Sequence, residues 1–118
     1  MIFEIWYFKA LLPNGTGHKA RPVLIIGNDS ENNLNIVDIH YCLVSSSSSA
    51  GKYDVEIADT QAKALGLSRA SIIKTTKIYT GSKRQLERKV CDLPDTLRKE
   101  FLQKYQAYQN AIISNMHI

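Results

Sequence analysis

With 118 residues, 44% of them hydrophobic and 22% charged, the chain is sized for one domain spanning residues 1–118 with a modest core, which excludes a two-domain enzyme. It has no run of about 18 apolar residues, and its start, MIFEIWYFKA, lacks a basic segment and a cleavage site, so a cytoplasmic protein without membrane attachment is expected; two cysteines, Cys42 and Cys91, are too few for a disulfide framework. The net charge of +4 is unevenly placed: four bases against seven acids leave residues 1–59 at −3, eight bases against Glu87 alone bring residues 60–90 to +7, and the remainder is neutral.

FEIWYFKALL is rich in aromatic and β-branched residues and predicts an opening strand. LPNGTGHKA reads as a mobile loop, and RPVLIIGN as a strand covered on both faces with Pro22 at its first position, so the first unit is a hairpin with a long tip. Residues 28–33 form a turn. In NIVDIHYCLV, residues 35–44, Val37, Ile39, Tyr41 and Leu43 alternate with Asp38, His40 and Cys42, which would share a polar strand face. Ser45 to Gly51 reads as an exposed loop, KYDVEI as another strand, and ADTQAKALGL as one or two helical turns ended by Gly66. ASIIKTTKIYTG predicts two short β segments, and SKRQLERKVCDLP either a helical turn or an edge strand. From Pro94 onward Leu97, Phe101, Tyr105, Tyr108 and Ile112 recur at helical spacing behind Asp95, a candidate cap. Close-spaced strands and one terminal helix predict a mainly β fold, a small, partly closed SH3-like antiparallel barrel with a C-terminal helix.

A concentration of positive charge on one third of a small domain fits a polyanion binder, because each phosphate neutralised releases condensed counterions; the plainer alternative is a solvated face. There is no phosphate-loop, dinucleotide or zinc signature. The grouping of Asp38, His40 and Cys42 is better explained by a polar strand face than by a metal site or an activated thiol.

Three words of sequence in order, GHKARPVLIIGN, YCLVSSSSSAGKYDVEI and LGLSRASIIKTTKIYTGSKRQLERKVCDLP, followed by the terminal helix, resemble the PemK/MazF family of toxin endoribonucleases across about residues 3–112. The family usually opens with Gly-Asp, which Met1 to Trp6 does not supply, and its catalytic loop offers a hydroxyl in a defined place, whereas five consecutive serines leave that place open here. The resemblance implies metal-independent, sequence-specific cleavage of single-stranded RNA, such as mRNA, by attack of the substrate's own 2′-hydroxyl, with no cofactor or metal. It maps the family's arginine before proline onto Arg21 and, counting back from Gly51, its hydroxyl onto Ser46, with Ser45 and Ser47 one step away. A guanidinium suits the extra negative charge of a five-coordinate phosphorus, since its planar donors grip two oxygens at once. His18 has an intrinsic pKa suited to proton transfer but matches no family position and is better read as an exposed loop histidine. Lys19, Ser45, Lys74, Lys77, Lys83 and Arg84, with Arg88 and Lys89, would follow the RNA backbone, and Trp6, Tyr7 or Tyr79 would stack on bases or pack in the core. A twofold homodimer and an acidic antitoxin are the implied partners. The alternatives are a barrel that binds RNA or DNA without cutting it and a module for an acidic protein partner.

Overall fold

The computed structural model describes residues 1–11, 17–28, 38–47 and 49–116, apart from the side chains of Leu11, His18 and Asn28. The hairpin tip, the turn at residues 29–33, residues 35–37 of the third predicted strand and Ser48 lie outside the described residues. Six strands, β1 (Glu4–Leu11), β2 (His18–Asn28), β3 (Asp38–Ser45), β4 (Val55–Ile57), β5 (Ser71–Ser82) and β6 (Leu86–Asp92), form one antiparallel sheet in the order β4-β5-β3-β2-β1-β6. The sheet curls into a half-barrel with two ends, β4 and β6. Helix α1 (Asp59–Leu65) connects β4 to β5, and α2 (Asp95–Ser114) follows β6. Among the described residues no helix is long and apolar enough to cross a membrane.

The aliphatic run of β2 explains why both sheet faces are dry. Leu24 packs with Ile5, Cys42, Val44, Val55, Ile57 and Ile73 beneath Leu97 and Phe101 of α2, while its neighbours Val23 and Ile25 join Phe8 and Ile39 in a second cluster. Val23, Leu24 and Ile25 are all buried. Burying a side chain of this size is worth about 1.5–3 kcal/mol, so the central strand anchors the sheet from both sides.

Several elements differ from the sequence reading, each for a physical reason. His18 to Ala20 belong to β2, paired with Lys9, Ala10 and Leu11 across the hairpin, instead of to a loop. Pro22 sits inside β2 opposite Tyr7; pairing with β3 begins only at Val23, so Pro22 has a strand neighbour on one side alone. Ser45 closes β3. Cys42 does not share a polar face with His40: it is fully buried in the main core, and that burial pushes its thiol up to about 12. His40 instead hydrogen-bonds through Nδ1 with Thr80 Oγ1, 3.2 Å. Of KYDVEI only VEI is strand. Asp95 lies in the first turn of α2 and Pro94 holds the capping position without a side-chain bond, although a carboxylate there still complements the helix dipole.

The two β segments predicted in ASIIKTTKIYTG are one strand, β5, with an irregularity in its middle. Cys42 pairs with Ile78 but the next residue, Leu43, pairs with Lys74, so Thr75, Thr76 and Lys77 are extra on the β5 side. SKRQLERKVCDLP resolves into a 3-10 turn, Lys83–Gln85, followed by β6. The turn is closed by a capping box, in which the Arg84 N–H donates to Ser82 Oγ and the Ser82 N–H to Gln85 Oε1. Gly66 ends α1 in the left-handed region at φ 98, and its N–H donates back to Lys63 O. Phe3 adopts φ 67, a conformation that costs a side chain energy; it is held by Phe3 N–H to Ile25 O, by Leu93 N–H to Phe3 O, and by an edge contact of its ring with Phe101.

Gly81 admits the aromatic ladder that stiffens the second cluster. The Phe8 and Tyr41 rings lie 4.5 Å apart and Tyr41 and Tyr79 5.8 Å apart. A Cβ on Gly81 would come within 2.9 Å of Phe8 and 3.0 Å of Tyr41. Gly81→Ala is expected to cost about 1–3 kcal/mol in urea unfolding because packed rings must move; unchanged stability would contradict this packing.

Candidate nucleic-acid interface

The β2–β3 ladder ends at Val23, which pairs with Leu43; beyond it, Arg21 and Ser45 lie at the same end of the two strands. Both line a cavity of about 540 Å³ together with Ser46, Ser47, Lys19, Lys74, Lys77 and Arg69. Among the described residues no acidic side chain lines it. Of the residues singled out from sequence, the fold thus gathers Arg21, Ser45, Ser46, Ser47, Lys19, Lys74 and Lys77 around one space. Lys83 and Arg84 ride on the 3-10 turn, where Gln85 Nε2 donates to Lys9 O of β1, and do not line it. The His18 side chain lies outside the described residues.

The irregularity in β5 explains how two lysines serve one cavity. Residues 74 and 77 are separated by an odd number and would point to opposite faces of a regular strand. The extra residues between them re-aim the chain, so that both line the same space. Lys19 and Arg21, two apart on β2, reach it by ordinary alternation.

The cations around the cavity differ in what holds them. Lys74 Nζ sits 2.9 Å from Asp54 Oδ2 and 3.3 Å from Ser49 O. The Asp54 side chain is 4% exposed, and its Oδ2 also accepts the Gly51 N–H at 2.7 Å. Lys74 and Asp54 together therefore fasten the far end of the serine segment to β5. Burial alone would push the Asp54 carboxyl up, but the Gly51 N–H, the Lys74 ammonium and the Thr75 N–H outweigh it and hold the group below the usual carboxylate range. Sequence reasoning assigned Lys74 to RNA and missed Asp54. An acidic residue twenty positions away in sequence carries no local signal of the pairing.

Tyr7 and Tyr79 line the cavity, whereas Trp6 does not and donates its Nε1–H to Glu4 Oε1 at 2.9 Å. The Arg88 guanidinium lies 4.3 Å from the centre of the Tyr7 ring, an arrangement that holds the ring's orientation. Tyr79 is 46% exposed and backed by Tyr41. Lys89 is engaged by Glu4 at 3.3 Å and Asp92 at 3.1 Å on the β6 side. Ser68 and Arg69 also line the cavity, and sequence reasoning passed them over as site residues. Their signal was position, two and three residues after the glycine that ends α1. Among the described residues no group of three or more His, Cys, Asp or Glu side chains is placed to hold a metal ion.

Because the folded-state pKa of Asp54 is depressed, its contribution to stability is present above the unfolded value of about 3.9 and is lost as pH falls through the lower folded value. Asp54→Asn is expected to cost about 1.5–3 kcal/mol at neutral pH and to weaken the dependence of stability on pH below about 4. Chemical unfolding at stepped pH checks both; parallel curves for the two proteins would contradict the pairing.

Comparison with known proteins follows this geometry. The profile of the family described as PemK-like, MazF-like toxin of type II toxin-antitoxin system matches residues 2–107. Among solved structures the chain is similar to the Mycobacterium tuberculosis toxin MazF-mt6, with TM-score 0.71 and 15% identity over 91% of this chain and 96% of that one. It is similar to an endoribonuclease in complex with its cognate antitoxin from Mycobacterial species, with TM-score 0.68 and 13% identity over 93% and 94%. It is also similar to MazE-MazF from Deinococcus radiodurans, with TM-score 0.66 and 15% identity over 92% of each chain. No curated protein matches. Identities this low show a shared fold, and the profile match covers most of the chain: the protein belongs to the PemK/MazF-like toxin family of type II toxin-antitoxin systems.

Proposed function

We propose that the chain is a sequence-specific endoribonuclease toxin that cuts single-stranded RNA without a metal ion. The observation that carries this reading is the shared lining of one cavity by Arg21, Lys19, Lys77 and three serines, with no acidic residue among them. A phosphodiester fits that lining by charge and by hydrogen bonding. The nucleophile is the substrate's 2′-hydroxyl: its oxygen bonds to the adjacent phosphorus, the bond to the 5′-oxygen breaks, and the products are a 2′,3′-cyclic phosphate and a 5′-hydroxyl end. The protein's task is to hold the phosphate in line and to stabilise the added negative charge.

Arg21 takes that charge with two parallel N–H donors, and Ser46, with Ser45 or Ser47 beside it, donates an O–H to the same phosphate, a bond worth about 1.5–3 kcal/mol with a charged acceptor. Lys19 and Lys77 neutralise flanking phosphates. His18, three residues before Arg21 in sequence, is the imidazole of the set and the candidate proton carrier. Tyr7 and Tyr79 offer ring faces to unpaired bases, since stacking tolerates any base. Lys83 and Arg84 extend the positive surface beyond the cavity.

The partners follow from the same charge. An acidic antitoxin segment would occupy the cationic cavity in competition with RNA, a reading supported by relatives solved as an endoribonuclease with its cognate antitoxin and as MazE-MazF. A cytoplasmic homodimer completes the proposal.

Long single-stranded RNA incubated with the protein in EDTA is expected to acquire new 5′-hydroxyl ends, and Arg21→Ala to slow their appearance by about 100-fold or more. Uncut RNA, or equal cutting by both proteins, would overturn the proposal.

A further inference from the structure

A second concavity, about 420 Å³, adjoins the first across the serine segment, because Ser45 and Ser46 line both. Its chemistry is different. Among the described residues no lysine or arginine lines it and its one charged group is Glu56 of β4, while Gln61 of α1 adds an amide. Ser71, at the start of β5, lines both spaces too. Ile57, Ala58, Ala70 and Ile72 complete the lining.

This distribution decides what each space can take. A phosphate in the second concavity would meet a carboxylate and no cation, so repulsion excludes it. An uncharged base meets an acceptor, an amide with both donor and acceptor, and serine hydroxyls above an aliphatic wall. With the phosphate held on one side of Ser45 and Ser46, the adjoining nucleotide passes over that shared wall.

We propose that the second concavity is a base-reading subsite, in which Glu56 and Gln61 select the nucleotide next to the phosphate held at Arg21. The proposal rests on the reading of the first cavity as an RNA site. A carboxylate only accepts hydrogen bonds, so Glu56 favours bases with an exocyclic amine, as acidic side chains do with the cytosine N4 amine. The Gln61 amide then donates to the acceptor beside that amine. Uracil is disfavoured: its one Watson–Crick N–H lies between two carbonyl oxygens, which face the carboxylate. The subsite thus discriminates cytosine, guanine and adenine from uracil. Glu56 is exposed and Gln61 half-buried, so replacing either leaves the core in place.

The test is selection from a randomised single-stranded RNA pool carrying 2′-fluoro groups, which lacks the attacking hydroxyl and so reads binding apart from cutting. The protein is expected to enrich amino-bearing bases at one position by about tenfold over uracil, as expected of a good polar base contact. Glu56→Gln, which gains a donor, is expected to admit uracil at that position, with the other positions unchanged. Gln61→Ala is expected to flatten the preference there. Base profiles identical to the original in both variants would overturn the subsite, as would the absence of any bound RNA. Unmodified RNA incubated in parallel separates the two readings: selective binding without cutting removes the nuclease and leaves the subsite, whereas cutting with an unchanged base profile in the Glu56 and Gln61 variants does the reverse.

Discussion

The pairing of β2 with β3 is the constraint on which the site depends. Leu24 and Cys42 face each other across that pair, and both are buried completely. A slip of one residue would turn Leu24 out of the main core and carry Val23 and Ile25 into it, so burial on both faces fixes the register. Two residues beyond the last apolar pair, Arg21 on one strand and Ser45 on the other line the same cavity. The polar chemistry at the rim is thus aligned by apolar contacts below it.

Around this alignment the fold sorts charge by role. Lys74 faces the cavity but is held by Asp54, and together they tie Ser49 and Gly51 to β5. Lys89 is similarly engaged by Glu4 and Asp92. Arg88 steadies the Tyr7 ring from behind. Arg21, Lys19, Lys77 and Arg69 supply the remaining positive lining, and Glu56 stands on the far side of the serine wall. The two adjoining spaces thus differ in charge, one lined by cations and the other by a carboxylate.

Much of this was legible from sequence where the signal is local. The aliphatic run VLII reads as a strand buried on both faces because no polar residue interrupts it, and it is one. Gly66 and the spacing of Leu97 and Phe101 mark a helix end and a helix stripe in the same way. Features set by long-range pairing were not legible. Pro22 is tolerated in mid-strand because the β2–β3 ladder ends at Val23 and leaves it unpaired on the β3 side. The irregularity that brings Lys74 and Lys77 to one cavity depends on β3, and the bond from Lys74 to Asp54 spans twenty residues of sequence. Counting charge along the chain placed Arg69 in the basic third, but the set of RNA-facing residues grouped Lys83 and Arg84 with Lys77 and omitted Arg69, whereas Arg69 lines the cavity and Lys83 and Arg84 do not, because proximity in sequence is not proximity across a sheet. Cys42 looked polar by alternation beside His40, yet Val44 on the same face belongs to the core.

The proposed function requires a phosphate held jointly by Arg21 and the serine segment. A double-mutant cycle measures that joint grip directly: 2′-fluoro single-stranded RNA is bound by the unaltered protein, by Arg21→Ala, by Ser46→Ala and by the double variant. Two side chains on one phosphate are expected to show a coupling energy of about 1 kcal/mol or more. Losses that simply add, within about 0.5 kcal/mol, would mean that the two side chains act on separate groups and that no common phosphate site exists.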